Sequence, residues 1–184
     1  TSPGKPWNRD GYVSVQVNVD AEGNNMLGDA ANSPVLAMDP TNRMRLVIAW
    51  RQFAAGYDRP VADMEAGYAY SHDGGSRWTF PGVIEPGVIH SFPTVDADVD
   101  GNFHYQGTNA SYVFDHFKSF DGGVTFPQKA YAYGSYYGWI TIDKTNGPGR
   151  NHVYTTAAYG DARSTDGGLS FVPGVGVYPG SLGT

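Results

Sequence analysis

The chain has 184 residues, 14% of them aromatic, with 25 glycines, 12 prolines and no cysteine. Only 16% of the residues are charged and the net charge is −6 at pH 7, which excludes the basic surface of a general nucleic-acid binder. The lack of cysteine excludes disulfides and thiolate metal sites, and no apolar run is long enough to predict a membrane span. This composition favours a single all-β domain over residues 1–184, rich in tight turns.

The first predicted element is a strand over residues 12–19, YVSVQVNV. Val13, Val15, Val17 and Val19 alternate with polar residues, which predicts a strand with one buried face.

Three repeated units follow, at about residues 33–82, 92–129 and 139–175. Each begins with a short apolar strand, then an aspartate, a turn and a second strand, and the aligned aspartates are Asp39, Asp98 and Asp143. Two more strands flank a glycine-rich turn later in each unit. Four strands in a repeat of this length predict one blade of a β-propeller, and no segment has the apolar period of a helix.

The glycine-rich turns read SHDGGSRWTF, SFDGGVTF and STDGGLSF, and their aspartates at 73, 121 and 166 lie 48 and 45 residues apart. In each turn we expect the aspartate to accept backbone hydrogen bonds, the glycines to adopt unusual backbone angles and the aromatic ring to pack beneath. A catalytic acid is needed only once, so the threefold recurrence favours a structural role. The predicted structural residues are Ser71, Asp73, Gly75, Trp78, Ser119, Asp121, Gly123, Phe126, Ser164, Asp166, Gly168 and Phe171.

These turns resemble the Asp-box, or bacterial neuraminidase repeat, whose pattern is Ser-x-Asp-x-Gly-x-Thr-Trp. The first keeps Trp78 but has Arg77 in place of Thr, the second keeps Thr125 but has Phe126, and the third has Ser170 and Phe171. The stretches AWRQF, GYAYSHDGGSRWTFPGVIEPGV, DVDGN and GWITID also resemble secreted bacterial sialidase-like propeller proteins. The resemblance implies a β-propeller outside the cell or on its surface, with the signal peptide already removed.

In a propeller blade, the loop between the second and third strands lies on the face opposite the turn between the third and fourth. That face would be built from residues 51–65, 83–91, 108–111, 131–138 and 158–160. The first of these loops, RQFAAGYDRPVADME, contains 11 residues more than its counterparts, and long loops on rigid scaffolds often carry function. The candidate ligand residues on this face are Arg51, Asp58, Asp63, Glu85, His90, Tyr136 and Tyr137.

Aromatic rings beside carboxylates and an arginine suit a sugar, and the alternative is a solvated loop with surface ion pairs. The resemblance to sialidases implies a tyrosine nucleophile paired with a glutamate, an aspartate as acid/base, and three arginines that clamp the substrate carboxylate. Arg51 matches one such arginine and Asp58 or Asp63 the acid, but no Tyr–Glu pair can be placed. No catalytic residue is therefore assigned, and whether the protein is an enzyme stays open.

The sequence predicts no cofactor and no metal. The run DADVDG at residues 96–101 begins like a calcium loop, but position twelve is Gly107 where a bidentate glutamate is required. A β-turn is favoured, and weak calcium binding is the alternative.

Three units are fewer than the usual four to eight blades. The sequence therefore predicts a partial β-propeller of about three to four blades, completed by further chain or by another protein chain. The predicted function is a secreted, non-catalytic module that binds glycan or protein or takes part in surface assembly. The alternative is the N-terminal part of a sialidase-like exo-glycosidase.

Overall fold

The computed structural model describes residues 2–26, 30–53 and 64–174, which contain sixteen β-strands. The predicted all-β class is confirmed. Nothing helical within these ranges has the length and apolarity needed to cross a membrane.

Three four-stranded antiparallel sheets form the body of the molecule, and we call them blades 1, 2 and 3. Blade 1 comprises β4 (Ala30–Met38), β5 (Leu46–Phe53), β6 (Met64–Ser71) and β7 (Thr79–Phe80). Blade 2 comprises β9 (Ser91–Ala97), β10 (Phe103–Thr108), β11 (Phe114–Ser119) and β12 (Gln128–Ala132). Blade 3 comprises β13 (Ser135–Ile142), β14 (Val153–Tyr159), β15 (Asp161–Ser164) and β16 (Val172–Pro173).

Four further strands lie around blade 1. β1 (Ser2–Pro3) pairs with β7, and β8 (Val83–Ile84) pairs with β6. β2 (Lys5–Arg9) and β3 (Tyr12–Gln16) form a separate two-stranded hairpin.

The core consists of apolar layers between consecutive blades. One layer joins blades 1 and 2 and includes Val47, Tyr105 and Phe117, while a second joins blades 2 and 3 and includes Phe114 and Val153. The innermost strands β4, β9 and β13 lie next to one another, so the blades are arranged around a common axis.

The N-terminal strand differs from its prediction. It ends at Gln16, and burial increases along it, from Val13 at 64% exposed to Val19 at 0%. β3 pairs only with β2, outside the blades, so its first residues have no apolar layer to face. Burial begins where Val17 and Met26 pack against Trp50 and Phe80 on the outer side of blade 1.

The three Ser-x-Asp-Gly-Gly turns form closely similar hairpins between the third and fourth strands of each blade. In each one, the serine hydroxyl donates to the aspartate and accepts from the second glycine N–H, at 2.6–2.9 Å. The aspartate also accepts the N–H four residues ahead, at 2.8–3.0 Å. The hairpin therefore has its turn donors satisfied internally, which fixes its shape.

The hairpins also hold neighbouring blades together. Tyr68 and His72 of blade 1 donate to the carbonyls of Val124 and Gly122 in the next hairpin, each at 2.9 Å. In the same way, the Lys118 ammonium and the Gln128 amide of blade 2 donate to the carbonyls of Gly167 and Gly168, each at 2.9 Å. Each hairpin after the first is thus bonded to the blade that precedes it.

Candidate functional site

A cleft of about 420 Å³ opens at the strand ends opposite the hairpins. Its walls come from β5 and β6 of blade 1, the entry to β9 and the β10–β11 loop of blade 2, and the first residues of β13 in blade 3. This volume lies within the range of small-molecule sites. The lining residues are Arg51, Phe53, Met64, Ile89, Ser91, Phe92, Thr108, Asn109, Ala110, Tyr112 and Tyr136.

Arg51 is the cationic residue among those that line the cleft. Its guanidinium carbon lies 5.1 Å from the ring centre of Phe53 and 5.0 Å from that of Phe92, so it sits against two aromatic faces. Nε donates to Asn32 Oδ1 at 2.8 Å, and Nη1 donates to Ser91 Oγ at 3.3 Å. A guanidinium oriented in this way suits a planar anion such as a carboxylate.

A repeated backbone irregularity places the aromatic side chains. In each innermost strand a bulge lies near the cleft, and the residues there with positive φ are Ser33 (55°), Phe92 (49°) and Tyr136 (73°). Bulges redirect side chains, and strained backbone angles concentrate at functional sites. Tyr112, with φ of 60° on the β10–β11 loop, lies across from Tyr136 with ring centres 6.5 Å apart.

Two glycines allow the segment that carries Tyr136 and Tyr137 to approach the body of the molecule. A Cβ at Gly134 would lie 2.8 Å from Phe114 Cε2, and one at Gly138 would overlap the same ring. The buried Phe114 ring therefore supports both tyrosines, and larger residues at either glycine would displace them.

Glu85 and His90 do not line the cleft but form an ion-pair cluster with Asp115 and Lys129 beside its wall. Lys129 Nζ lies 2.7 Å from Glu85 and 3.0 Å from Asp115, and His90 Nε2 lies 2.9 Å from Asp115. Asp115 also accepts from Asn109 Nδ2 at 3.0 Å. The cluster thereby fixes the start of the β10–β11 loop.

Charge pairing sets the protonation of this cluster. Burial raises the pKa of Asp115, but bonds from His90, Lys129 and Asn109 outweigh it and hold the pKa below its ordinary value. Burial lowers the pKa of Lys129, and its bonds to Glu85 and Asp115 raise it more. Both groups are therefore charged at neutral pH.

Glu85, His90 and Asp115 are also the described residues whose ligand atoms lie close enough together to hold a metal ion. The Lys129 ammonium already neutralises both carboxylates, so the cluster is complete as an ion pair. In the calcium-like turn, the carboxylates bond to separate protein donors: Asp96 to Lys144 at 2.6 Å, Asp98 to Lys118 at 3.1 Å, and Asp100 to Asn151 at 2.5 Å.

The structure brings Arg51 and Tyr136 together in the cleft, while Tyr137 lines a neighbouring cavity. Asp58 and Asp63 lie outside the described residues. Phe92 and Tyr112 were missed by the sequence analysis, although each lies one residue beyond a loop assigned to this face. The available signal was the proline that follows both Ser33 and Phe92 in equivalent strands.

Comparisons with known proteins identify the fold. No family model and no curated protein matches the sequence. A Hadza microbial sialidase matches with a TM-score of 0.58 and 12% identity, over 89% of this chain and 37% of that one. A Trypanosoma rangeli sialidase in complex with sialic acid matches with a TM-score of 0.53 and 12% identity, over 89% and 31%.

A GH43 β-1,3-galactosidase matches with a TM-score of 0.56 and 14% identity, over 80% of this chain and 32% of that one. This chain thus spans about one third of each of these three chains. Identities this low establish the fold alone, and the predicted fold class is confirmed. The chain is a partial β-propeller that resembles sialidases and other glycoside hydrolases in structure.

Proposed function

We propose that this protein is a non-catalytic β-propeller module that acts outside the cell and binds carbohydrate in the cleft beside Arg51. The ligand carries a carboxylate, as a sialic or uronic acid does. The observation that supports this most is the Arg51 guanidinium, held by Asn32 and Ser91 against the rings of Phe53 and Phe92. A sugar carboxylate would bond to the guanidinium while the sugar ring packs on Phe92, Tyr112 or Tyr136.

The surroundings of the cleft favour binding over hydrolysis. Glycoside hydrolysis needs a pair of acidic groups, or a tyrosine with an acidic partner, at the scissile bond. Among the described residues, no carboxylate lines the cleft. The carboxylates next to its wall, Glu85 and Asp115, are both paired with Lys129.

The test is calorimetric titration with N-acetylneuraminic acid, glucuronic acid and neutral lactose. We expect one acidic sugar to bind more tightly than lactose, and Arg51→Gln to weaken its binding by about 10- to 100-fold, which corresponds to the loss of a hydrogen bond to a charged group. Arg150→Gln is the matched control, because Arg150 is an exposed arginine that pairs with Asp100 near the hairpin face. Equal binding of acidic and neutral sugars, or equal effects of the two substitutions, would contradict the proposal.

The alternative function is the N-terminal part of a sialidase-like exo-glycosidase, which the presence of Arg51 in the cleft also suits. A fluorogenic sialoside distinguishes the two. Turnover that Arg51→Gln abolishes would support the enzyme, whereas binding without turnover supports the module.

A further inference from the structure

A second, smaller cavity adjoins the Arg51 cleft, between the innermost strands of all three blades. Its volume is about 200 Å³, and its walls include Pro34, Phe92, Tyr137 and Trp139. Phe92 lines both cavities, so a single side chain separates them. We call this second space the axial cavity.

Aromatic rings lie in sequence from one cavity to the other. The centres of Tyr112 and Tyr136 are 6.5 Å apart, those of Tyr136 and Tyr137 are 4.7 Å apart, and those of Tyr137 and Phe92 are 4.0 Å apart. Beyond them, Trp139 is 67% exposed at the wall of the axial cavity. Rings accessible to solvent therefore line both spaces.

The two cavities differ in their polar groups. The larger one has Arg51, Ser91 and Asn109 on its walls, whereas the axial cavity combines Pro34, Pro93 and Trp139 with the hydroxyls of Ser33 and Thr94. A cation suits the acidic unit of a ligand, and an apolar wall with an exposed indole suits the flat face of a neutral unit. A carbohydrate chain is a molecule that repeats an apolar face from unit to unit.

We infer that the ligand is an oligosaccharide of at least two units, with an acidic unit beside Arg51 and the next, neutral unit in the axial cavity against Trp139. This inference rests on the proposed function and extends it to a second binding position. Trp139 then determines the preference for chain length, and Arg51 determines the preference for charge.

The experiment compares single sugars with chains that contain them. The probes are N-acetylneuraminic acid against 3′-sialyllactose, and glucuronic acid against a hyaluronan tetrasaccharide. For the pair whose acidic unit binds, we expect the oligosaccharide to bind at least about tenfold more tightly, because a second ring contact adds to the first.

Variants at Trp139 assign that gain to the axial cavity. Trp139→Ala is expected to remove the tenfold gain and leave the single sugar's affinity unchanged, while Trp139→Phe, which keeps a ring, retains most of it. Phe120→Ala is the matched control, since Phe120 is an exposed aromatic at the hairpin face, 57% accessible.

Each outcome decides between the claims. Equal affinity for single sugar and chain would overturn the two-position inference and leave the proposed function standing. A gain that survives in both Trp139 variants would also overturn it. If neither single sugars nor chains bind, the proposed function itself fails and this inference fails with it.

Discussion

The second glycine of each hairpin shows how a single residue connects two blades. Gly75, Gly123 and Gly168 have nearly identical φ values of 88°, 88° and 89°. Their surroundings differ, because a Cβ at Gly123 would overlap Val47 Cγ2 of blade 1, and one at Gly168 would lie 2.7 Å from His116 Nε2 of blade 2. At Gly75 the nearest atom is Leu46 Cδ1 of its own blade, at 3.4 Å.

This difference predicts unequal effects of the same substitution. Gly75→Ala and Gly123→Ala both incur about 1–2 kcal/mol for a left-handed backbone angle. Gly123→Ala is expected to lose roughly 1–3 kcal/mol more, because Val47 is buried, β-branched and unable to move aside. Urea unfolding of the two variants measures this, and equal losses would show that the hairpin does not press on the preceding blade.

At the scale of elements, the contact between blades 2 and 3 contains two buried histidines. His104 Nδ1 lies 3.0 Å from His116 Nε2, and His104 Nε2 lies 3.3 Å from Asp98. This arrangement fits two neutral rings, in which His116 Nε2–H donates to His104 and His104 Nε2–H donates to Asp98. Burial, together with the nearby His104 and Lys118, holds the pKa of His116 well below its ordinary value.

The pair predicts a loss of stability in mild acid. A histidine whose pKa is lower in the folded state stabilises the fold above its unfolded pKa of about 6.5, and that stability is lost as the pH falls toward the folded pKa. For each proton taken up only on unfolding, the free energy of unfolding should decrease with a slope approaching about 1.4 kcal/mol per pH unit. Burial also lowers the pKa of His104, more than its bond to Asp98 raises it, which adds to the slope.

Chemical denaturation between pH 7 and 5 provides the measurement. His116→Gln retains a donor toward His104 and removes one titrating group, so the slope should become shallower. His152→Gln removes a histidine outside this contact and controls for histidine number. A slope that is the same in His116→Gln and in the parent protein would exclude this pair as its source.

Strand order and blade number could be predicted from the sequence because the aspartate turns recur at regular spacing. Strand ends could not. β12 begins at Gln128 rather than Thr125, because residues 119–126 are used by the hairpin and Pro127 has no N–H to donate. β13 begins at Ser135 rather than Ile140, because its bulge hides the alternating pattern.

The site was predicted in part for a related reason. Arg51 and Tyr136 follow from loop position, which the repeat determines. Phe92 and Tyr112 depend on positive φ angles that no local pattern announces, and the pairing of Glu85 and His90 with Lys129 depends on contacts between residues distant in sequence.

At the scale of the whole molecule, the two outer flanks differ. The flank of blade 1 is covered by β1 and by Val17 and Met26 of the N-terminal segment. On blade 3, Trp139 and Thr141 alternate with the buried Ile140 and Ile142, and thus lie on the outward face, where both are exposed. We propose that a further blade or another protein chain covers this face, because exposed sheet faces tend to associate.

This proposal predicts that the 184-residue chain alone associates in a concentration-dependent way in sedimentation. Thr156→Lys, at an exposed position of blade 3 that pairs with Trp139, is expected to reduce the association. Ser76→Lys adds the same charge to the first hairpin and should not. A sharp monomer boundary at all concentrations, with a cooperative melt, would count against an uncovered flank.

The central claim is that the Arg51 cleft binds an acidic sugar, and a crystal structure of the protein with the tightest-binding acidic oligosaccharide tests it most directly. We predict the sugar carboxylate within hydrogen-bond distance of the Arg51 guanidinium, with a sugar ring against Phe92 or Tyr136. A sugar bound at the hairpin face, or a carboxylate directed away from Arg51, would contradict the account.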